Sequence, residues 1–250
     1  MTLLTVAQQI CRETGVDVPS IVVGSTNDSS VRVLAALQSA GESLASGKIT
    51  LPNGYTKQHD WTALIKEQTF STTSGTADYA LSGSGSIITD GDFGRFVAGT
   101  RWDRANQNEI KLFTPAQWQE SKSGITTRST TLKRARKRGR FLSIDPTPSS
   151  TETLVFEYVS KYWCESASGT GQSLFQADAD TVIVDERLLK LDAKWRFLNY
   201  LGSPYAEELA EALAAITLEA GSDITPDTTS FIRSKRTIYG NHGNYNTVSN

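Results

Sequence analysis

The hydrophobic pattern of this chain changes period twice along its length, and this change most constrains its fold. Large apolar residues recur at helical spacing near both ends, whereas the segment between is rich in β-branched and aromatic residues. Such patterns predict helices with one buried face and strands, respectively. Ser and Thr supply 56 of the 250 residues and favour strands, turns and caps over helix interiors. The sequence therefore predicts an α+β protein with helices at both ends.

Residue types that cap helices set the expected helix ends. Asn27 is a good N-terminal cap, and a glycine follows the expected end of each of the first two helices. Gly41 lies inside the second helix and costs about 1 kcal/mol relative to Ala, so we expect another helix to approach it closely. The four long helices are predicted at residues 5–14, 27–46, 184–201 and 204–221, the last with an apolar face of Tyr205, Leu209, Leu213 and Ile216.

Three further elements are predicted between these helices. The segment 153–163 is the clearest strand, because β-branched and aromatic residues dominate it. Residues 132–144 are typical of a hairpin that turns near Gly139. Thr114 and Pro115 are typical of a helix start.

Together these elements predict a helical bundle built by the N- and C-terminal helices, with a β-rich module inserted between them. We expect the bundle to comprise residues 1–65 and 176–221, and the β-rich module to comprise residues 66–175. Residues 222–250 are polar, with few large apolar side chains, and form an extended C-terminal arm in this interpretation.

Several function classes find little support in the sequence. No apolar stretch approaches the roughly 18 residues that a membrane span needs. Only two histidines are present, so the His59-Asp60 pair lacks the further ligands of a histidine-rich metal site. Residues 92–94 copy a kinase tripeptide without its companion motifs. The acids between 178 and 186 are typical of helix capping. We therefore expect no catalytic residue, no metal and no cofactor.

Charge is distributed unevenly along the chain. The formal net charge is only −2, but residues 121–144 hold eight basic residues and no acid. The other 226 residues hold 17 basic and 27 acidic side chains, a balance of −10. The hairpin contains most of the basic block, at Lys133, Arg134, Arg136, Lys137, Arg138 and Arg140.

Alternation along a strand places Arg134, Arg136 and Arg138 on one face of this hairpin and Lys133 and Lys137 on the other. Two charged faces favour a hairpin that projects into solvent or against an acidic partner. A solvated loop, contact with an acidic protein surface and contact with nucleic-acid phosphates all remain open. No aromatic residue lies between 121 and 140, which disfavours stacking on single-stranded nucleic acid.

The order of several motifs resembles one family over about residues 1–220. The chain is similar to the head-to-tail adaptor (connector) proteins of short-tailed bacteriophages. The motifs are Leu3-Leu4-Thr5 with Cys11, Val22-Val23-Gly24-Ser25 with the helix after Asn27, His59-Asp60-Trp61, the strand 156–163, and residues 180–196 with Asp185-Glu186-Arg187-Leu188-Leu189 and Lys194-Trp195-Arg196.

The resemblance implies a structural virion protein of the capsid–tail neck, present in the host cytoplasm during assembly. Such adaptors form a ring, typically of twelve copies, beneath the portal protein, and the tail or nozzle protein docks below. The genome passes through the lumen without specific binding. The C-terminal arm reaches the portal in relatives, which assigns portal contacts here to Phe231, Ile232, Arg233, Lys235, Arg236 and Tyr239.

Two alternatives remain open at this point. The Ser- and Thr-rich centre and its aromatic residues suit a carbohydrate-binding tail module, although terminal helices count against it. A nucleic-acid binder acting through residues 133–140 is the other alternative, and it requires a steep dependence of binding on salt.

Overall fold

The structure, a computed structural model, describes residues 1–50, 54–123 and 132–223. Its helices are α1 (Leu3–Thr14), α2 (Asp28–Ser46), α3 (Pro115–Ser123), α4 (Glu186–Leu201) and α5 (Ala206–Ser222), with a single 3-10 turn at Thr62–Leu64 in the described part. Its strands are β1 (Lys48–Thr50), β2 (Thr56–Gln58), β3 (Ile65–Ser71), β4 (Asp78–Ala80), β5 (Phe93–Phe96), β6 (Trp102–Asp103), β7 (Asn108–Glu109), β8 (Lys111–Leu112), β9 (Arg134–Arg138), β10 (Phe141–Asp145), β11 (Thr153–Ser160), β12 (Cys164–Glu165), β13 (Gly171–Gln172) and β14 (Thr181–Val182).

The strand β11 is the centre of the largest sheet. It pairs antiparallel with β3, β5 and β6, and β7 extends this sheet beyond β6. A four-stranded sheet has the order β4-β10-β9-β8, in which only β8 and β9 are parallel. Two smaller sheets pair β1 with β2 and place β12 between β13 and β14.

Two hydrophobic cores lie on either side of β11. Leu154, Phe156 and Tyr158 pack between the five-stranded and four-stranded sheets. Val159 and the nearby Trp163 pack with the helices instead. Because β11 is buried on both faces, one face requires the second sheet as a cover and the other requires the helices.

The prediction of a helical bundle with an inserted β-rich module is wrong. The terminal helices do contact one another, but they share one core with strand residues such as Ile49, Val159 and Cys164. Strands also extend outside residues 66–175, since β1, β2 and β14 lie beyond those limits. The observed protein is an α+β fold organised around its sheets. The expected arm lies outside the described residues from position 224 onward, and the proposed domain boundaries stay a prediction.

The predicted helix caps are confirmed. The Asn27 side chain accepts hydrogen bonds from the backbone N–H groups of Ser29 (2.9 Å) and Ser30 (3.3 Å) at the start of α2. Gly47 ends that helix with φ +65°, a left-handed conformation that glycine adopts without steric cost. These local signals depend on neighbouring residues only, which explains why the sequence locates the helix ends well.

Gly41 does have a close neighbour, but it is an aromatic ring rather than another helix. A methyl group at this position of α2 would lie 2.3 Å from two ring atoms of Trp163. Trp163 is fully buried and contacts Phe175 edge-on, with ring centroids 4.8 Å apart. The missing side chain of Gly41 therefore creates the space for Trp163.

We expect Gly41→Ala to destabilise the protein, although Ala has the higher helix propensity. The ring of Trp163 is held on its other sides, so the added methyl group should cost about 1–3 kcal/mol through overpacking. Urea unfolding measures this loss. Gly221→Ala, also in a helix and without a described heavy atom within 4 Å, is the matched control and should leave stability unchanged or raised. A stabilised Gly41→Ala variant would contradict the packing argument.

Candidate interaction surfaces

The predicted basic hairpin forms, with β9 and β10 joined at Gly139, whose φ is +58°. It does not project freely into solvent, since β9 lies between β10 and β8 in the four-stranded sheet. One face of the hairpin carries Ala135, Leu142 and Ile144 into the core between the two sheets. The expectation that both faces of the hairpin are charged and project into solvent or against an acidic partner is therefore wrong for the inner face.

Lys133 is the one cation of the hairpin that lies in the protein interior, only 5% exposed. Its ammonium group is 2.6 Å from the Asp103 carboxylate and also forms an ion pair with Glu152. Burial alone would lower the pKa of Lys133, but its hydrogen bonds to these two carboxylates outweigh burial and raise the pKa. Lys133 thus joins the start of β9 to the segments around β6 and β11.

The arginines Arg134, Arg136 and Arg138 lie on the outer face of the sheet. Arg138 forms an exposed ion pair with Asp78 (3.4 Å), and Arg134 is 4.0 Å from the carboxylate of Asp145. Within the described part of the chain, Arg136 has no carboxylate partner. Local acids thus offset part of the basic block that the sequence shows.

Lys137 and Arg140 lie at the tip of the hairpin and are both exposed. Each lies over an aromatic ring, Lys137 over Phe93 at 5.2 Å and Arg140 over Phe141 at 5.0 Å. Neither has a carboxylate partner among residues 1–50, 54–123 and 132–223. These two cations therefore remain available to an acidic group from outside the chain.

Two exposed leucines accompany these cations. Leu132 precedes β9 and is 51% exposed, and Leu112 of the neighbouring β8 is 39% exposed. The exposed cations and leucines at this end of the four-stranded sheet are Leu112, Leu132, Lys137, Arg138 and Arg140. By strand alternation, Lys137 lies on the opposite face of β9 from Arg138.

A second surface, which the sequence prediction missed, lies on α5. This helix buries Ala212, Ala215, Ile216 and Ala220 against the rest of the fold. Its opposite side is apolar as well, and Leu218 there is 72% exposed. The α5 outer face is defined by Glu207, Ala210, Glu211, Leu213, Ala214 and Leu218. The signal in the sequence is that the apolar residues of α5 cover more of the helix than one buried face requires.

The end of α5 is fixed by Asp223, the last described residue. The Asp223 carboxylate lies 3.1 Å from Nε2 of His59 and accepts hydrogen bonds from the backbone N–H (3.0 Å) and the hydroxyl of Thr62. Burial would raise the pKa of Asp223, but the bonds from Thr62 and His59 outweigh burial and lower it.

The expected portal-contact residues lie outside the described residues: Phe231, Ile232, Arg233, Lys235, Arg236 and Tyr239.

Neither the models of known protein families nor the curated protein sequences match this chain. The similarity to head-to-tail adaptors therefore rests on the order of motifs in the sequence, and the two surfaces have to be interpreted from their own chemistry.

The His59-Asp60 pair is divided between separate partners. His59 faces Asp223, whereas the Asp60 carboxylate accepts two hydrogen bonds from the Arg95 guanidinium at 2.6 and 2.9 Å. In residues 1–50, 54–123 and 132–223, no group of three or more His, Cys, Asp or Glu side chains is placed to hold a metal ion. These two residues hold the turn before β3 to β5 and to the end of α5.

Asp92, from the tripeptide at 92–94, is completely buried and forms a hydrogen-bonded cluster. Its carboxylate accepts bonds from Lys66 (2.7 Å), Tyr158 (2.8 Å) and Ser160 (2.8 Å). Burial would raise the pKa of Asp92, but the three donors outweigh burial and lower it. The pKa of Tyr158 is raised, first by burial and then by its bond to Asp92. The arrangement joins β3, β5 and β11 at one point.

The two thiols are also internal. Cys11 and Cys164 are both free and fully buried. Burial raises the pKa of Cys11, and burial together with the nearby Asp180 raises that of Cys164 to about 12. Both side chains therefore remain protonated at neutral pH.

The acids before α4 act as backbone acceptors. The Asp185 side chain caps α4 by accepting from the N–H of Leu188 (2.9 Å). Asp178 accepts from the N–H groups of Val22 and Val23, the shortest bond being 2.7 Å. The predicted capping role is confirmed for Asp185, and Asp178 holds the segment between α1 and α2.

Within residues 1–50, 54–123 and 132–223, every helix is too short or too polar to span a bilayer.

Proposed function

We propose that this chain is a structural head-to-tail adaptor, which self-associates into a ring between a portal protein and the tail or nozzle protein. The observation that carries the proposal is the α5 outer face. The apolar part of this face consists of Ala210, Leu213, Ala214 and Leu218. A contiguous apolar patch in contact with solvent is typical of a protein–protein interaction site. A ring places such a face against a neighbouring copy and removes it from water.

Charge supports the passage of a genome through such a ring. Outside residues 121–144 the chain has a balance of −10, which repels nucleic-acid phosphates. A conduit with this charge lets DNA pass without holding it. The basic residues that could bind phosphates are confined to one hairpin, and half of the hairpin cations have carboxylate neighbours.

The anchoring of Asp223 supports a role for the C-terminal segment. Because His59 and Thr62 hold this residue, the 27 residues that follow start from a defined position on the surface. A polar segment attached at a fixed point is suited to contact a portal surface.

Native mass spectrometry of the purified chain with the portal protein of the same phage tests the proposal. We expect low-order species of the chain alone and a closed ring on the portal. A variant ending at Asp223 keeps the His59 and Thr62 contacts and should lose portal docking while its circular dichroism stays unchanged. Absence of any portal complex at all concentrations overturns the proposal. Tight, salt-sensitive binding to DNA instead favours the nucleic-acid alternative.

A further inference from the structure

The α5 outer face forms an open apolar groove that ends where the C-terminal residues of the chain begin. The groove runs from Ala210 to Ser222 with a volume of about 860 Å³, and Leu213 and Leu218 are its largest side chains. In the described part of the chain, its lining residues all belong to α5. Exposed apolar surface of this extent is suited to be covered by another segment or by a partner.

We propose that residues 224–236 of the same chain lie along this groove in the free protein and cover it before assembly. The segment runs back along α5, antiparallel to the helix. The contact itself does not depend on the adaptor role. Its consequence, a groove that is closed to neighbouring copies until the portal binds, rests on the proposed function.

Asp223 determines where this segment begins. His59 and Thr62 hold its carboxylate, and the two residues before it, Gly221 and Ser222, line the groove. Residues 225–227, Thr-Pro-Asp, are typical of a turn, and proline does not continue a helix. Because the segment is attached beside the groove, its effective concentration there is about millimolar, which favours it over a second copy in solution.

The lengths of the groove and the segment agree. Ala210 and Ser222 are twelve residues apart on a helix, which corresponds to about 18 Å at 1.5 Å per residue. An extended segment covers this distance in about six residues, since each residue adds about 3.3 Å. After the turn at 225–227, residues 228–233 therefore span the groove, and they include Phe231 and Ile232.

The order of residue types in the segment matches the order along α5. Read backward from its end, α5 presents two leucines and then two acids: Leu218, Leu213, Glu211 and Glu207. After the turn, the segment presents two apolar residues and then three basic ones: Phe231, Ile232, Arg233, Lys235 and Arg236. Among the described residues, Glu208 is the one acid of α5 with an ion-pair partner, Lys194. An antiparallel segment therefore places apolar beside apolar residues and basic residues beside the two acids that lack a partner.

Phe231 and Ile232 cannot contact α5 and a portal protein at the same time. When a portal takes the segment, the groove becomes free for a neighbouring copy, so ring formation follows portal binding. In the free chain, the apparent affinity of one copy for another is reduced to the fraction of chains whose groove is open.

Disulfide trapping in the full-length chain tests the contact. Cys11 and Cys164 are fully buried, so introduced cysteines are the accessible thiols. The test pair is Ala214→Cys with Ser230→Cys. Ala214 lies about 12 Å back from Ser222 along the helix, and Ser230 lies about 10 Å beyond the turn, so the two are at the same level. Mild oxidation should join them within one chain, and mass spectrometry of the denatured, unreduced protein measures the yield.

The matched control pair is Glu219→Cys with Ser230→Cys. Glu219 is exposed, lies off the groove and is closer than Ala214 to the segment along the chain. A segment without a preferred position therefore links to Glu219→Cys at least as readily. We expect the disulfide of the test pair to form at least about tenfold faster than that of the control pair.

A second experiment measures whether the segment blocks the groove. Phe231→Ser with Ile232→Ser should strengthen self-association without portal at least about tenfold, because burial of either side chain is worth more than a tenfold change in an equilibrium constant. Sedimentation velocity over a concentration series measures this change. Ile238→Ser with Tyr239→Ser removes the same kinds of side chain beyond the span of the groove and should leave self-association unchanged. Circular dichroism verifies that the variants fold.

Each result supports or overturns a defined part of the proposal. Equal disulfide formation in the test and control pairs overturns the contact, and a disulfide between two chains identifies a second copy as the occupant and also overturns it. Unchanged self-association of the Phe231/Ile232 variant overturns the blocking of the groove. With portal protein, the oxidised test pair should fail to dock, and reduction should restore docking; docking of the oxidised form overturns the exclusion between the two contacts. If the unmodified chain never docks, the adaptor proposal fails, whereas a disulfide within the chain still supports the contact.

Discussion

Replacing Lys133 with Met should destabilise the fold more than any other change to the basic hairpin. The substitution keeps the length of the side chain but leaves the carboxylates of Asp103 and Glu152 without their cation. Asp103 is only 1% exposed and has no access to bulk water. Removing one partner of a buried ion pair costs about 3–5 kcal/mol, because the other charge stays buried and uncompensated. Urea unfolding at neutral pH measures the loss.

Two further variants test whether the loss in Lys133→Met comes from its ion pairs. Lys137→Met removes a cation from the same strand, but at an exposed position, and should change stability by less than about 0.5 kcal/mol. The triple variant Lys133→Met, Asp103→Asn, Glu152→Gln removes all three charges and should recover more than half of the loss. Equal stability of the Lys133→Met and Lys137→Met variants would show that the ion pairs contribute nothing.

The structure divides the basic block into buried and exposed cations, and the sequence alone does not show this division. The sequence shows eight basic residues without an acid, and their alternation assigns faces to a strand. It does not show that Asp103 and Glu152, far away in the chain, reach Lys133. Pairing across such separations depends on tertiary contacts, so charge counts along the sequence overestimate the charge available to a partner.

Local elements were predictable because their signals lie within a few residues. Asn27, Gly47 and Asp185 mark helix ends by hydrogen bonds and backbone conformation that involve only near neighbours. The strand β11 was predictable from its β-branched and aromatic residues. α4 ends at Leu201, as expected, and α5 begins at Ala206, two residues after the expected start.

What each helix packs against was not predictable in the same way. The presence of Gly41 inside a predicted helix indicates a close neighbour, but it does not identify this neighbour as Trp163. In α5, the expected apolar face contained Leu209 and Leu213, whereas the structure buries Ala212 and Ala220. An alanine-rich helix has apolar residues on several faces, so its pattern does not select one. The α5 outer face was missed for this reason. The bundle prediction failed because the terminal helices share their core with strand residues, which helical periodicity does not show.

Asp92→Asn should also have a large effect on stability, and its effect should depend on pH. The amide keeps the shape of the side chain but replaces one acceptor oxygen with a donor. Tyr158 and Ser160, both nearly fully buried, bond to different oxygens of Asp92, so one of their hydroxyls then loses its acceptor, whereas the partly exposed Lys66 can be hydrated. We expect a loss of about 1–3 kcal/mol, the cost of one buried unsatisfied group. Asp90→Asn, an exposed neighbour, is the control and should change stability little.

The pH dependence follows from the lowered pKa of Asp92 in the folded protein. A carboxyl group whose pKa is lower in the folded state than in the unfolded state stabilises the fold fully above the unfolded pKa, near 4. This contribution is lost as the pH falls through the folded pKa. The stability difference between the unmodified chain and Asp92→Asn should therefore be constant from pH 7 to pH 5 and shrink below about pH 4. Urea unfolding across this range measures it. A difference that is unchanged at pH 3 would mean that the ionised carboxylate is not what holds β3, β5 and β11 together.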